Sequence, residues 1–199
     1  MNTPATAHPA EALVLARITP AVIERAGRIR LMAFDVDGIL TDGRLWYGEN
    51  GEALKCFNAL DGHGLSLLRE SGIGIALVTG RKGVILARRA AELGISTVLQ
   101  GVRDKVSALS DLAREQGCTL AQTGFMGDDI IDLPVLQRAG LAVSVPNAPT
   151  YVAQAAHWVT SRAGGDGAVR ECCDVILAAQ GRLRAFFGPR PFTTSGPTQ

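Results

Sequence analysis

The chain has 199 residues, of which 47% are hydrophobic and 20% charged, with a formal net charge of +1. This is ordinary globular composition, and so small a net charge gives no electrostatic footprint for nucleic acid or a membrane surface. No apolar run approaches the roughly 20 residues of a membrane span, no secretory signal is read at the N-terminus, and the four cysteines, none in a CxxC pair, suit reduced thiols. A single-domain cytoplasmic protein is expected.

Residues 1–18 are expected to form a flexible lead. Thr19 and Pro20 then open a helix to about Arg28, with threonine as N-cap and proline at the first helical position. The run from Leu31 to Phe34 is apolar and too short for a helix, so it reads as a strand buried on both faces. It ends at Asp35, Asp37 and Gly38. Between 44 and 57 the turn pair Asn50-Gly51 lies between aromatic residues, which predicts a β-hairpin insert above the carboxyl edge of the sheet. Strands and helices then alternate. Helices are predicted over about 62–70, 84–93, 104–116, 133–138, 150–155 and 168–180, and strands over 74–78, 97–99, 123–126, 141–145 and 157–160. Gly94, Gly117 and Gly140 stop three of the helices. The tail 188–199 is rich in Pro, Gly and Thr and is expected to be mobile. One α/β domain over 19–187 follows, with a parallel central sheet and helices on both faces.

Three of these strands end in chemistry-bearing residues on one edge of the sheet: Asp35 and Asp37, then Thr79 with Gly80 and Arg81, then Asp128 and Asp129. Open α/β sheets bind ligands at that edge. Lys105 begins a helix that follows the third predicted strand and can reach the same place. Two like charges as close as Asp35 and Asp37 are costly unless neutralised, and Mg2+ takes one or two carboxylates plus other oxygens. Asp35, Asp128 and a loop carbonyl, that of Asp37, are the candidate ligands. Asp35 suits a carboxylate nucleophile attacking phosphorus, and Asp37 a proton shuttle. Thr79 is placed to donate to a phosphate oxygen and Lys105 to balance its charge. Thr79 equally suits capping the next helix, and Arg81 equally suits a surface ion pair. Asp129 and Asp132 are supporting candidates, suited to bonding backbone amides or holding Lys105.

The ordered set Asp35-Val36-Asp37-Gly38, Thr79-Gly80-Arg81, Lys105 and Gly127-Asp128-Asp129 with Asp132 resembles the haloacid dehalogenase (HAD) superfamily of phosphotransferases. The likeness narrows through Ile39-Leu40-Thr41-Asp42-Gly43, Lys55-Cys56-Phe57-Asn58, Asp61-Gly62-His63-Gly64, Gln100-Gly101 and Gly164-Gly165-Asp166-Gly167-Ala168-Val169-Arg170-Glu171. From about Leu31 to Gly181 the chain resembles the 3-deoxy-D-manno-octulosonate 8-phosphate phosphatases. That resemblance implies a three-layer Rossmann-like HAD fold without a cap domain, Mg2+-dependent release of phosphate from an eight-carbon sugar acid of lipopolysaccharide synthesis, and a homotetramer. It also makes Asp37, Thr79, Gly80, Arg81, Lys55 and Arg170 candidate substrate contacts. Arg170 is either one half of a helix-start pair or a group that the glycine-rich loop delivers to a substrate carboxylate, in its own or a neighbouring subunit. A hairpin alone is poor cover for an aspartyl-phosphate, so a neighbouring subunit is expected to complete the site. The competing readings are a phosphatase for a nine-carbon ulosonate phosphate and a non-catalytic HAD assembly module. A phospho-accepting receiver module is disfavoured, because its acidic pair usually precedes the phospho-acceptor.

Overall fold

The apolar run Leu31–Phe34 forms β1, and all four of its residues are buried. The computed structural model describes residues 8–188. The other strands are β2 (Trp46–Gly48), β3 (Gly51–Leu54), β4 (Gly74–Thr79), β5 (Val98–Gln100), β6 (Thr123–Met126), β7 (Leu141–Ser144) and β8 (Trp158–Val159). The helices are α1 (Pro9–Leu15), α2 (Pro20–Gly27), α3 (Ala59–Glu70), α4 (Val84–Glu92), α5 (Lys105–Glu115), α6 (Leu133–Leu136), α7 (Thr150–Ala153) and α8 (Ala168–Ala179). The main sheet runs β5-β4-β1-β6-β7-β8 and is parallel throughout. β2 and β3 pair separately as the expected antiparallel hairpin, and no cap domain is present among the described residues.

Successive side chains of a strand face opposite ways, so β1 feeds two cores. Met32 and Phe34 join one core with residues of α2, α3, α4 and α8. Leu31 and Ala33 join the other with residues of α5, α6 and α7. This three-layer arrangement leaves the carboxyl ends of β1, β4 and β6 side by side, because β1 lies between its two neighbours in register. Local capping is as the sequence indicates at α2, where Thr19 Oγ1 accepts from Val22 N at 3.4 Å. At α5, Asp104 Oδ1 accepts from Val106 N and Ser107 N, both at 3.0 Å. No helix among the described residues is long and apolar enough to cross a membrane.

Two expectations need correction. The assignment of 1–18 to a flexible lead does not hold for Pro9–Leu15, which form α1 and pack on α8. His8 supplies the N-cap through Nδ1, an acceptor for Ala10 N at 3.2 Å. Glu11 is buried and accepts from Arg184 N at 2.9 Å, which ties α1 to a 3-10 turn at Leu183–Phe186. A helix this short is held by tertiary contacts rather than by its own propensity. The expected mobile tail 188–199 lies outside the described residues apart from Gly188.

The second correction concerns α3, which starts at Ala59, capped by Asn58 Oδ1 on Leu60 N at 2.8 Å. Asp61 is therefore inside its first turn. There it is buried and accepts from Gly167 N at 3.2 Å and Arg170 N at 2.8 Å. Asp61 thus satisfies the N-terminus of α8, whose own cap position is a glycine with no side chain to offer.

Candidate active site

Asp35 stands at the end of β1, 5% exposed, with its backbone N donating to Met126 O at 2.9 Å. Lys105, the first residue of α5, reaches beneath it. Its Nζ lies 3.0 Å from Asp35 Oδ1 and 2.6 Å from Asp132 Oδ1. Asp132 is fully buried, and its second oxygen accepts from Asp128 N at 3.1 Å and Asp129 N at 3.2 Å. Both supporting roles considered for it are therefore filled by one carboxylate: it holds Lys105 and it shapes the loop after β6. Asp129 is exposed and bonds its neighbour Ile130 N at 2.7 Å. Thr79 is buried at the end of β4, and its Oγ1 accepts from Arg81 N at 3.2 Å. That bond uses an acceptor lone pair and leaves the hydroxyl proton to donate.

Asp128 closes the cluster. Oxygens of Asp35, Asp128 and Asp132 lie within 4.8 Å of one another. The Asp128 carboxylate presses on Gly38, where an added Cβ would sit 2.5 Å from Asp128 Cγ and where φ is +92°. Both conditions demand glycine after Asp37.

The electrostatics leave this cluster short of positive charge. Burial raises the pKa of Asp35 to about 6; Lys105 opposes the shift and Asp132 adds to it. Burial, then the charges of Asp35, Asp132 and Asp129, raise Asp128 to about 7. Burial opposes the charge on Lys105, but the carboxylates of Asp35 and Asp132 outweigh it and raise its pKa above the ordinary value. Three carboxylates thus share one ammonium, and Asp128 Oδ1 is buried with no hydrogen-bond partner. A hard divalent cation with oxygen ligands fits this set, since it supplies the missing charge and engages the orphaned oxygen. Asp132 is already spent on Lys105 and two amides, which leaves Asp35 and Asp128 free to coordinate.

The hairpin supplies a second group of charges. Lys55 Nζ pairs with Asp37 Oδ1 and lies 2.9 Å from Glu52 Oε1. Arg81 Nη2 donates to Tyr47 Oη at 2.7 Å and to Glu52 Oε1 at 3.4 Å. Arg81 Nε lies 3.7 Å from Asp37 Oδ2. Lys55 and Arg81 are thus gathered beside Asp37, around a small pocket that Thr79 also lines, and Gly80 joins Thr79 to Arg81 in the chain. Sequence reasoning singled out neither Glu52 nor the Tyr47 hydroxyl as part of this group; the placement of Glu52 three residues before Lys55 is the only local signal.

Arg170 is not among them within one chain. Its Nε donates to Asp174 Oδ1 at 2.8 Å, and it lines a separate groove with Val14, Asn58 and Trp158. The glycine-rich loop before it has another use: it lies against the loop that follows Asp37. Gly165 N donates to Ile39 O at 2.9 Å, Gly164 N to Asn147 Oδ1 at 3.1 Å, and Asn58 Nδ2 to Gly165 O at 3.4 Å.

The class to which this fold and site point is that of haloacid dehalogenase-like hydrolases, and residues 90–171 match the family model of that description. The 3-deoxy-D-manno-octulosonate 8-phosphate phosphatase KdsC of Salmonella typhimurium is 44% identical over 83% of this chain and 88% of its own. The chain belongs to the 3-deoxy-D-manno-octulosonate 8-phosphate phosphatase family. The Yersinia pestis phosphatase, solved as a crystal structure, is 45% identical with a TM-score of 0.81, covering 83% of this chain and 89% of that one. The Moraxella catarrhalis phosphatase, solved in complex with magnesium ion, phosphate ion and KDO, is 43% identical with a TM-score of 0.81, covering 83% and 95%.

Proposed function

We propose that this chain is a Mg2+-dependent phosphoric monoester hydrolase that converts 3-deoxy-D-manno-octulosonate 8-phosphate to the free sugar acid and phosphate, for lipopolysaccharide synthesis. The observation that carries the reading is the pairing of Lys105 with Asp35 at the end of β1, with Asp37 two residues on and the unpartnered Asp128 oxygen beside them. Asp35 attacks phosphorus and the ester bond to the sugar oxygen breaks, leaving an aspartyl-phosphate. Asp37 protonates the departing alkoxide, then takes a proton from the water that attacks phosphorus and releases Asp35. Lys105 keeps the Asp35 carboxylate from facing the phosphate as an uncompensated charge. The Thr79 hydroxyl donates to a phosphoryl oxygen, and Lys55 and Arg81 face the rest of the substrate. Bound by Asp35, Asp128 and the Asp37 carbonyl, Mg2+ supplies the positive charge that these acidic groups and the phosphate together require.

The test is phosphate release from the eight-carbon and nine-carbon ulosonate phosphates and from p-nitrophenyl phosphate, with Mg2+ and with EDTA. The expected result is turnover that EDTA abolishes, with the eight-carbon substrate preferred. Equal turnover of both ulosonates removes the specificity, and no turnover of any ester leaves the assembly-module reading.

Thermal melting carries a pH signature of the same carboxylates. Their folded pKa values, about 6 for Asp35 and about 7 for Asp128, lie above the 3.8 of an ordinary aspartate. The metal-free fold therefore carries an unfavourable charge above pH 7, which protonation relieves as pH falls through 7 and 6. Added Mg2+ is expected to raise Tm most at pH 8 and least at pH 6, where protons compete for the same oxygens. A Mg2+ increment independent of pH would place the ion elsewhere.

Assembly as a homotetramer in the cytoplasm, with a neighbouring subunit completing each site, belongs to the same proposal. Trp46, Tyr47 and Leu54 of the hairpin are 54%, 62% and 63% exposed, a large apolar surface for a lone chain. The four cysteines are free, as a reducing compartment would have them. Light scattering that finds a fully active monomer would remove the shared-site reading.

A further inference from the structure

The geometry points to a polyphosphate-binding cleft at the edge of the sheet opposite Asp35, where Arg28, Arg30, Arg69 and Arg182 line a hollow of about 790 Å3. That volume lies within the range of small-ligand sites. The cleft lies at the amino ends of the strands: Arg30 precedes β1, Gly74 begins β4 and Gln122 precedes β6, and all three line it. Asp35, Thr79 and Asp128 stand at the other ends of the same strands. A four-residue strand separates the two edges by about 13 Å, so a phosphate held here is not the one that Asp35 attacks. The chain as a whole has a net charge of only +1, yet no carboxylate of a described residue lines this cleft. Glu24 pairs with Arg28 from outside the lining.

Helix capping accounts for part of this arginine set. Helices α2, α3, α5 and α8 all end at this edge, so their last carbonyls and the negative ends of their dipoles face it. Arg30 Nη1 donates to Gly117 O, just past α5, at 3.0 Å, and Arg182 Nη1 to Ser71 O, just past α3, at 2.7 Å. Gln180 Nε2 serves the end of α2 without any charge, donating to Ala26 O at 3.1 Å and Ile29 O at 2.8 Å. Each of the arginine bonds uses one guanidinium N–H of five, and a carbonyl carries no net charge to neutralise the cation. The bond orients the fork and leaves its other donors available. Arg69, in the last turn of α3, has no side-chain hydrogen bond or ion pair among the described residues, and its guanidinium lies over Gly94. Capping and Glu24 therefore leave most of the cleft's donors and charge unanswered, around a hollow larger than a single phosphate fills. Planar guanidinium forks match phosphate oxygens two at a time. The ligand chemistry implied is a compact polyanion with two or more phosphates, inorganic or carried by a nucleoside.

The test is titration calorimetry of the full-length protein with tripolyphosphate, ATP and orthophosphate, in EDTA and at low ionic strength. EDTA withholds the cation that phosphate needs at the catalytic edge, and low salt leaves exposed charges unscreened. Wild type is compared with Arg69→Gln, with Arg69→Gln/Arg182→Gln, and with Lys55→Gln/Arg81→Gln at the catalytic edge. Tripolyphosphate is expected to bind wild type and the Lys55/Arg81 variant alike, and more tightly than orthophosphate. Its Kd should rise about threefold in Arg69→Gln and about tenfold in the Arg69/Arg182 variant, as for the loss of one and of two exposed ion pairs. Turnover of p-nitrophenyl phosphate with Mg2+ should be unchanged in both. Arg182→Gln gives up the bond to Ser71 O, so if the double variant melts early, Arg69→Gln, which gives up no bond, decides. Tighter binding of ATP than of tripolyphosphate assigns the cleft to a nucleotide; equal or weaker binding assigns it to the inorganic chain. No binding of tripolyphosphate, an equal Kd for orthophosphate, an unchanged Kd in the Arg69 and Arg182 variants, or loss of binding in the Lys55/Arg81 variant would overturn the inference.

Discussion

Replacing Asp35 by asparagine is expected to abolish Mg2+-dependent phosphate release, by at least about 10^4-fold, while leaving the fold intact. An amide does not attack phosphorus to form the acyl phosphate, and no other carboxylate shares its position at the end of β1. The expectation for stability is less usual. Asp35 is 5% exposed, and burial raises its pKa to about 6 even with Lys105 at 3.0 Å. Its charge is therefore a net cost to the metal-free protein above pH 6. Lys105 keeps Asp132 as a partner at 2.6 Å when Asp35 is neutral. Metal-free Asp35→Asn should then melt at or above the wild-type temperature at pH 8. Phosphate release and thermal melting read the two halves; retained turnover would mean another nucleophile, and a lower Tm would mean that Asp35 is a net stabilising charge.

Gly164→Ala is expected to reach the same centre from the far end of the chain. A Cβ at this position would collide with the Gly38 carbonyl, falling 2.6 Å from its carbon and 3.2 Å from Ile39 N. All of these are backbone atoms, so no side-chain rotation relieves the clash. The loop carrying Asp37 and Gly38 must shift, or the 163–167 loop must leave it and lose its bonds to Ile39 and Asn147. Overpacking of this kind costs about 1–3 kcal/mol, and displacement of a reacting group by about 1 Å costs about 10^2-fold in rate. Gly27→Ala is the control, since its Cβ would meet only Ala179 O at 3.7 Å. A Gly164→Ala enzyme with wild-type kcat and Tm would show that the loop does not buttress the site.

Much of the centre was legible because strand ends are a local signal. An apolar run that stops at Asp35 and Asp37, another at Thr79 and a third at Asp128 can be read residue by residue, and parallel topology brings their ends to one edge. Lys105 was legible by its oddity, a cation in a first helical turn where the helix dipole disfavours it. Its position beneath Asp35 and against Asp132 explains that oddity. The hairpin showed itself through Asn50-Gly51. The glycine-rich segment was visible, and the structure adds a use for it: it lies against the Asp37 loop, while the arginine it precedes is engaged with Asp174 in the single chain.

Helix α1 escaped notice because its stability comes from α8 and from the Arg184 amide on Glu11, contacts with no periodic trace in a seven-residue stretch. Asp61 as the cap of α8 and Glu52 as the link between the hairpin and the β4 loop are invisible for the same reason, and the sequence left open whether Asp129 or Asp132 would hold Lys105 or the amides, which Asp132 does together. Each is a polar group whose worth depends on what burial places opposite it, and that partner lies up to 109 residues away, as for Asp61 and Arg170. Hydrophobic period and strand-end chemistry are properties of neighbours in the chain, so the amino-acid order alone determined the layered α/β sheet and the aspartates at its edge. The pairing of buried charges is a property of neighbours in space. Only the tertiary structure decided which cation answers which carboxylate, and which oxygen of Asp128 is left without a partner.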